Sequence, residues 1–180
     1  IWDENSAQRP VKIVGNLPYS ISSPILFKIY EFKELFSFCV FLLQKEVAER
    51  ISAGPGTKKF APISILFQIV FETQIHAFFS PRSFTPSPKV DSALISLEKR
   101  QTPLFSLKDE QDFHRFLKMA FRSRRKTLIN NFILSGYSRA SLDNVFQRLE
   151  MEKMIRPEQV SIDCFLALYN ELRAPSRSID

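Results

Sequence analysis

Val11-Lys12-Ile13-Val14-Gly15-Asn16-Leu17-Pro18-Tyr19 is the stretch on which the reading of the fold turns. Val11 to Val14 is a short apolar run that reads as a buried strand, with Lys12 to Gly15 leading into a turn. A helical spacing of Ile25, Leu26 and Ile29 begins just after it. An Asn-x-Pro-aromatic turn at the mouth of a strand can hold the amino group of a flat heterocycle. The Asn16 side-chain oxygen is one acceptor and the Leu17 carbonyl is a second. Pro18 lacks an N–H and biases Leu17 away from the helical region, so that carbonyl can point outward. Tyr19 offers a ring face for stacking. On these residues alone, an ordinary strand-to-helix turn that happens to contain Asn and Pro would look the same.

Outward from the turn, strand-like and helix-like patterns alternate through the first hundred residues. Ser23 is the expected N-cap of the first helix, with Pro24 at its first helical position. Phe36 to Leu43 is a nearly continuous hydrophobic run, as in a strand covered on both faces. Gln44 to Ser52 reads as a helix stopped by Gly54-Pro55-Gly56, and Ala61 to Phe71 as another helix starting near Pro62. Thr73 to Phe79 and Asp91 to Lys99 read as strands, joined by a loop holding Pro81, Pro86 and Pro88. This alternation predicts an α/β layered domain. After Gln101-Thr102-Pro103 the apolar period becomes helical, as in Phe113, Phe116, Leu117, Ala120 and Phe121. It continues through Leu128, Ile129, Phe132 and Ile133, then Leu142, Val145, Phe146 and Leu149, then Phe165, Leu166, Tyr169 and Leu172. Ser141 and Ser161 are the expected caps, and the tail from Ala174 is expected to fray. The predicted organisation is one α/β domain over 1–101 and a small all-α domain over 104–180.

At 180 residues and 44% hydrophobic content the chain can bury a core, which excludes wholesale disorder. The formal charge of +6 favours a polyanionic partner. Its excess is spread evenly, with 12 basic and 9 acidic side chains up to residue 103 and 13 and 10 after it, so local clustering is the informative signal. Cys39 and Cys164 have no Cys or His at metal spacing, and both read as small buried hydrophobes in a reducing, cytoplasmic compartment. His76 and His114 have no triad or metal partners in the sequence, so no metal is expected. No apolar run has the length of a membrane span, and the first residues resemble no signal peptide.

Two further segments could carry chemistry. Ser83-Phe84-Thr85-Pro86-Ser87-Pro88-Lys89-Val90-Asp91-Ser92 is a proline-stiffened loop that can present Phe84 to the second face of a stacked base and Lys89 to a phosphate. A hairpin loop with a buried Phe is the plainer alternative. Phe121-Arg122-Ser123-Arg124-Arg125-Lys126-Thr127-Leu128 places four basic residues in five at the expected start of an amphipathic helix. Cations there oppose the helix dipole, a conflict that an RNA phosphate would resolve; a solvated charged face is the plainer alternative. Chemistry at an adenine N6 amine suits the turn. That lone pair is delocalised into the ring, and two acceptors on the amino hydrogens favour the pyramidal nitrogen that frees it. Stacking worth about 1–3 kcal/mol per base offsets the few kcal/mol needed to extrude the base.

Taken in order, these segments resemble the KsgA/Dim family of rRNA adenine N6,N6-dimethyltransferases. Leu43-Gln44-Lys45-Glu46-Val47-Ala48-Glu49-Arg50 and Arg156-Pro157-Glu158 with Phe165-Leu166-Ala167-Leu168 extend the match over nearly the whole chain. The resemblance implies a Rossmann-like methyltransferase domain, with a mixed and mostly parallel sheet, followed by a helical RNA-binding domain. It implies S-adenosylmethionine as donor and two adjacent adenines near the 3′ end of small-subunit rRNA as targets. Asn16 and Leu17, in the Asn-Leu-Pro-Tyr turn with Pro18, would hold the amine, with Asn16 also beside the donor. Tyr19 and Phe84 would sandwich the base. Arg122, Arg124, Arg125, Lys126 and Lys89 would meet RNA, and the protein would act as a monomer on the small-subunit precursor. The family's donor-binding Gly-rich loop precedes this turn, yet no Gly-x-Gly-x-x-Gly occurs here and only fifteen residues lie before Asn16. The expectation is therefore a chain holding the second half of the Rossmann-like domain, inactive alone, with an open sheet edge prone to strand pairing. A large-subunit rRNA dimethylase conferring antibiotic resistance is an alternative. So is a non-catalytic rRNA-binding assembly factor or transcription factor of the same fold.

Overall fold

The computed structural model describes residues 10–102 and 110–173, and the tail from Ala174 lies outside them. The described residues divide into two compact units, 10–52 with 66–102 and 53–65 with 110–173. The linear split at 101–104 therefore misses one segment, because 53–65 belongs with the helices. Its anchors are long-range. Phe60 is fully buried and its ring meets Phe121 edge-on at 6.3 Å. The Gly56 N–H donates to the Glu158 carbonyl at 2.7 Å. Gly56 sits at φ +85°, a conformation that favours glycine. In the sequence this turn looks like a local stop, since nothing local announces its distant partners.

The first unit holds a four-stranded sheet of β1 (Val11–Asn16), β2 (Phe36–Gln44), β3 (Phe71–Phe79) and β4 (Ser92–Lys99). The order is β1-β2-β4-β3, with β1 parallel to β2 and the β2–β4 and β3–β4 pairs antiparallel. Helix α1 (Ser22–Glu31) connects β1 to β2, α2 (Lys45–Ile51) follows β2 and packs on β2, β3 and β4, and α3 (Pro62–Val70) leads into β3. The α/β class and the mixed sheet agree with expectation. A parallel majority does not hold within these four strands, because the proline loop joins β3 and β4 as antiparallel neighbours. One register irregularity interrupts β3. Ile75 opposes Ile95 and Ala77 opposes Leu94, leaving His76 as an extra residue whose Nε2 lies 2.8 Å from Ser96 Oγ.

Alternation in β2 builds the core. Cys39, Phe41 and Leu43 oppose Leu97, Ile95 and Ala93 of β4, and all six are buried. The intervening β2 residues are only half-buried, so this strand is closed on one face rather than both. Burial pushes the Cys39 thiol up to about 11, as desolvation of a thiolate requires. The expected burial of β1 also fails. Val14 is 81% exposed, since its side chain projects from a face of β1 that no described element covers; among the described strands β1 pairs only with β2. A Cβ at Gly15 would stand 3.4 Å from the Leu17 side chain and 3.6 Å from Phe41, ordinary van der Waals contact, so space alone does not demand glycine there. Ser23 does not cap α1. Ile21 holds that position, while Ser22 Oγ donates back to the Tyr19 carbonyl at 3.2 Å. Pro24 still falls in the first turn, where its missing N–H has no partner to lose.

The second unit comprises α4 (Glu110–Ala120), α5 (Leu128–Ile133), α6 (Arg139–Arg148) and α7 (Ile162–Arg173). Their apolar stripes meet as the spacing predicts, with Phe113, Phe116, Leu117, Phe132, Phe146 and Phe165 buried. Phe116 stacks on Phe132 at 5.1 Å, and Tyr169 meets Phe113 edge-on at 5.0 Å. The Tyr169 hydroxyl donates to Asp112, whose carboxyl is held below the usual range chiefly by its hydrogen bond from Arg115. Ser161 caps α7 by accepting from the Cys164 N–H at 3.1 Å. Ser138, rather than Ser141, caps α6, and it is the Ser141 N–H that donates to it. Cys164 is exposed, contrary to expectation, because the buried stripe of α7 runs through Phe165, Leu166, Leu168 and Tyr169. No helix among the described residues is long and apolar enough to cross a membrane. No group of three His, Cys, Asp or Glu among them could hold a metal ion.

Candidate active site and basic loop

The carboxyl end of β1 opens onto a cavity of about 370 Å³, within the range of small-ligand clefts, about 300–1,000 Å³. Asn16, Leu17, Pro18, Tyr19, Phe84, Thr85, Pro86 and Pro88 line it. The five residues singled out as the catalytic set are thus brought together, although Phe84 is far from the turn in sequence. The Leu17 N–H donates to the Leu42 carbonyl at 2.9 Å, which fixes the turn on β2 and buries the Leu17 side chain. The Pro18 carbonyl accepts from Ile21 at 3.1 Å and closes the turn. Asn16 is exposed, and its side-chain amide has no hydrogen-bond partner among the described residues. Nor does the Leu17 carbonyl have one. Two acceptors at the cavity are therefore unspent on protein groups.

The aromatic walls are held from behind. The Tyr19 hydroxyl is hydrogen-bonded to the hydroxyl of Ser92, the first residue of β4. Phe84 packs edge-on against Phe79 with ring centroids 6.3 Å apart. Its loop is cross-braced by a bond of 2.8 Å from Ser87 Oγ to the Pro81 carbonyl, and the Thr85–Pro86 peptide is cis. Lys89 is exposed on the same loop. Below it, Lys45 Nζ pairs with Asp91 at 3.3 Å and lies 5.1 Å from the Phe78 ring centroid.

The basic run belongs to the second unit and differs from expectation. Arg122, Arg124, Arg125 and Lys126 lie in the turn ahead of α5, whose N-cap is Thr127, so they are not the first turn of a helix. Arg122 does the opposite of opposing a dipole. Its Nη1 donates at 2.6 Å to the carbonyl of Leu134, the C-terminal cap of α5, where a cation is favoured. Arg124 donates to the Lys58 carbonyl at 3.0 Å. Arg125 and Lys126 are exposed, with no side-chain hydrogen bond or ion pair among the described residues. Two of the four cations are therefore partly spent on backbone, and two are free for phosphate. The loop is shaped by Asn131, which is fully buried. Its Nδ2 donates to the Ala120 carbonyl at 2.8 Å and the Ser123 carbonyl at 3.0 Å, and its Oδ1 accepts from the Ser123 N–H at 3.0 Å.

The family model for ribosomal RNA adenine dimethylase matches residues 2–174. The chain belongs to the ribosomal RNA adenine dimethylase family. It is 43% identical over 169 residues to the "Ribosomal RNA small subunit methyltransferase A" of Streptococcus thermophilus, a match covering 91% of this chain. A protein of the same name from Hydrogenovibrio crunogenus is 39% identical over 160 residues, covering 89% of the chain. The chain spans 58% of the length of each of these relatives. A dimethyladenosine transferase from Plasmodium falciparum has the same fold, with a TM-score of 0.73 and 26% identity over 90% of this chain and 68% of that one. The 23S rRNA methyltransferase ErmE shares the fold at a TM-score of 0.66 and 22% identity, over 93% of this chain and 68% of its own.

Within this chain, the sequence pointed to the lining of the cavity and not to its supports. Ser92 lay in plain sight at the end of the proline loop, but a serine beginning a strand carries no signal of the tyrosine it will meet. Asn131 did leave one. An Asn inside a helical stripe is unfavourable unless its side chain has backbone to bond.

Proposed function

We propose that the full-length protein carrying this chain transfers methyl groups from S-adenosylmethionine to N6 of adenine in small-subunit rRNA. Its targets are two adjacent adenines near the 3′ end, each dimethylated, during subunit maturation in the cytoplasm, with the protein acting as a monomer. The observation that carries this reading is the pair of unengaged acceptors, Asn16 Oδ1 and the Leu17 carbonyl, at a cavity flanked by Tyr19 and Phe84. An exocyclic amine has two hydrogens for two acceptors, and a flat base has two faces for two rings. The acceptors polarise the amine without a formal charge, and the rings hold the base out of its stack; catalysis is then mostly positioning. S-adenosylmethionine, when bound, supplies an electrophilic methyl group. Of the residues that would hold it, this chain contributes Asn16, whose exposed carboxamide at the carboxyl end of β1 suits that place. The 180-residue chain alone is expected to bind the donor poorly, since its relatives are substantially longer than the part it matches.

The test is to supply the full-length protein with donor and small-subunit precursor and to map the product by mass spectrometry of rRNA digests. N6,N6-dimethyladenine at two adjacent positions near the 3′ end is the expected result. Modification confined to large-subunit rRNA would assign the protein to the resistance-type dimethylases. Binding without modification would make it an assembly factor. The basic loop supplies a second expectation. Replacing Arg125 and Lys126 with Gln should weaken rRNA binding and reduce the slope of log K against log salt by about 1.5, the share of two phosphate contacts. A titration series over salt concentration measures this directly, and an unchanged slope would return the loop to a solvated face.

A further inference from the structure

Ser92 is fully buried, yet its hydroxyl reaches the half-exposed Tyr19. Its backbone is held on both sides. Ser92 opposes Gln44 of β2 and Phe79 of β3, and the adjacent Asp91 carbonyl accepts from the Lys45 N–H at 2.9 Å. Ser92 is thus among the most constrained points near the cavity, while Tyr19 lies on a surface turn between β1 and α1. A hydrogen bond from a rigid strand to a phenol fixes where the ring stands and which way its face looks. The other wall has the same origin. Phe79, the cross-strand partner of Ser92, carries the ring against which Phe84 packs.

We propose that Ser92 is a positioning residue for the aromatic slot, presenting the Tyr19 ring face to the extruded base. The proposal rests on the reading of the cavity as an adenine site. Ser92 does not touch the base; it acts through Tyr19, so its loss should slow turnover without loosening the grip on RNA, which other residues supply. Removing either hydroxyl should have the same consequence, because one bond is lost in both cases.

The experiment is a double-mutant cycle in the full-length protein with Ser92→Ala and Tyr19→Phe. Two quantities are read: kcat for rRNA methylation, and the quenching of 2-aminopurine placed at the target adenine of an rRNA fragment. Each single variant should lower kcat by about fivefold to tenfold, the worth of one hydrogen bond, with the Kd for RNA unchanged. The double variant should be no slower than either, quenching should fall in parallel, and Ser92→Thr should recover most of the loss. Additive losses, unaltered quenching, or a lowered Tm with unchanged kcat would overturn the assignment. A wild-type protein that quenches 2-aminopurine but methylates nothing would instead refute the proposed reaction, and the quenching cycle would still decide the role of Ser92.

Discussion

Asn16→Ala in the full-length protein is expected to reduce methyl transfer by at least about a hundredfold while rRNA affinity stays within about twofold of wild type. The magnitude is that of removing one preorganised group aimed at a reacting centre. The selectivity follows from the structure. Asn16 side-chain atoms make no hydrogen bond among the described residues, so trimming them leaves no buried group unsatisfied. The turn itself is held by backbone bonds, Leu17 to Leu42 and Ile21 to Pro18, which the substitution does not touch. Stability should therefore be unaltered, and the cations proposed to meet phosphate are other residues. Single-turnover kinetics beside a filter-binding Kd separate the two quantities. Asn16→Asp is the informative companion, since it keeps an acceptor of the same shape but introduces a charge. Unchanged turnover in the alanine variant would remove Asn16 from the mechanism.

Asn131→Ala is expected to destabilise the helical unit by about 3 kcal/mol, the sum of three net hydrogen bonds of about 1 kcal/mol each. The lost side chain leaves the Ala120 and Ser123 carbonyls and the Ser123 N–H without their partner, part of it in a buried position. Asn131→Asp should be as damaging, because a carboxylate can accept from Ser123 but would face two carbonyls it cannot bond. Asn130 provides the contrast. It is exposed, and replacing its side chain should change stability by less than about 0.5 kcal/mol. Urea unfolding followed by circular dichroism reads these differences as a shifted midpoint at constant m-value. Equal midpoints for the two alanine variants would show that Asn131 does not staple the basic loop.

Most of the architecture was legible because its signals are local. The apolar run of β2, the helical stripes of α4 to α7 and the turn at Asn16 to Tyr19 each lie within a few residues, although the one-sided burial of β2 did not show in its run. What was misread depends on partners distant in sequence. Val14 is as apolar as a core residue, but only the fold shows that no described element covers its face of β1. Arg122 looks like a helix-starting cation until the Leu134 carbonyl is placed beside it. The segment 53–65 parts from its sequence neighbours because Phe60 finds Phe121. At the candidate site the groups that would face a ligand were readable, since chemistry demands particular residue types. Those that brace them, Ser92 and Phe79, are ordinary residues made important by register alone.

That register has its own origin in the extra residue of β3. Counting on from the Ile75–Ile95 pair without interruption would set Phe78 opposite Ser92; with His76 inserted, Phe79 takes that place. Because successive side chains in a strand point to opposite faces, a one-residue change of phase decides which phenylalanine backs the slot and which turns toward Lys45. The bulge is a vernier, and deleting His76 should even out the ladder while leaving Ala77, Phe78 and Phe79 opposite Leu94, Ala93 and Ser92.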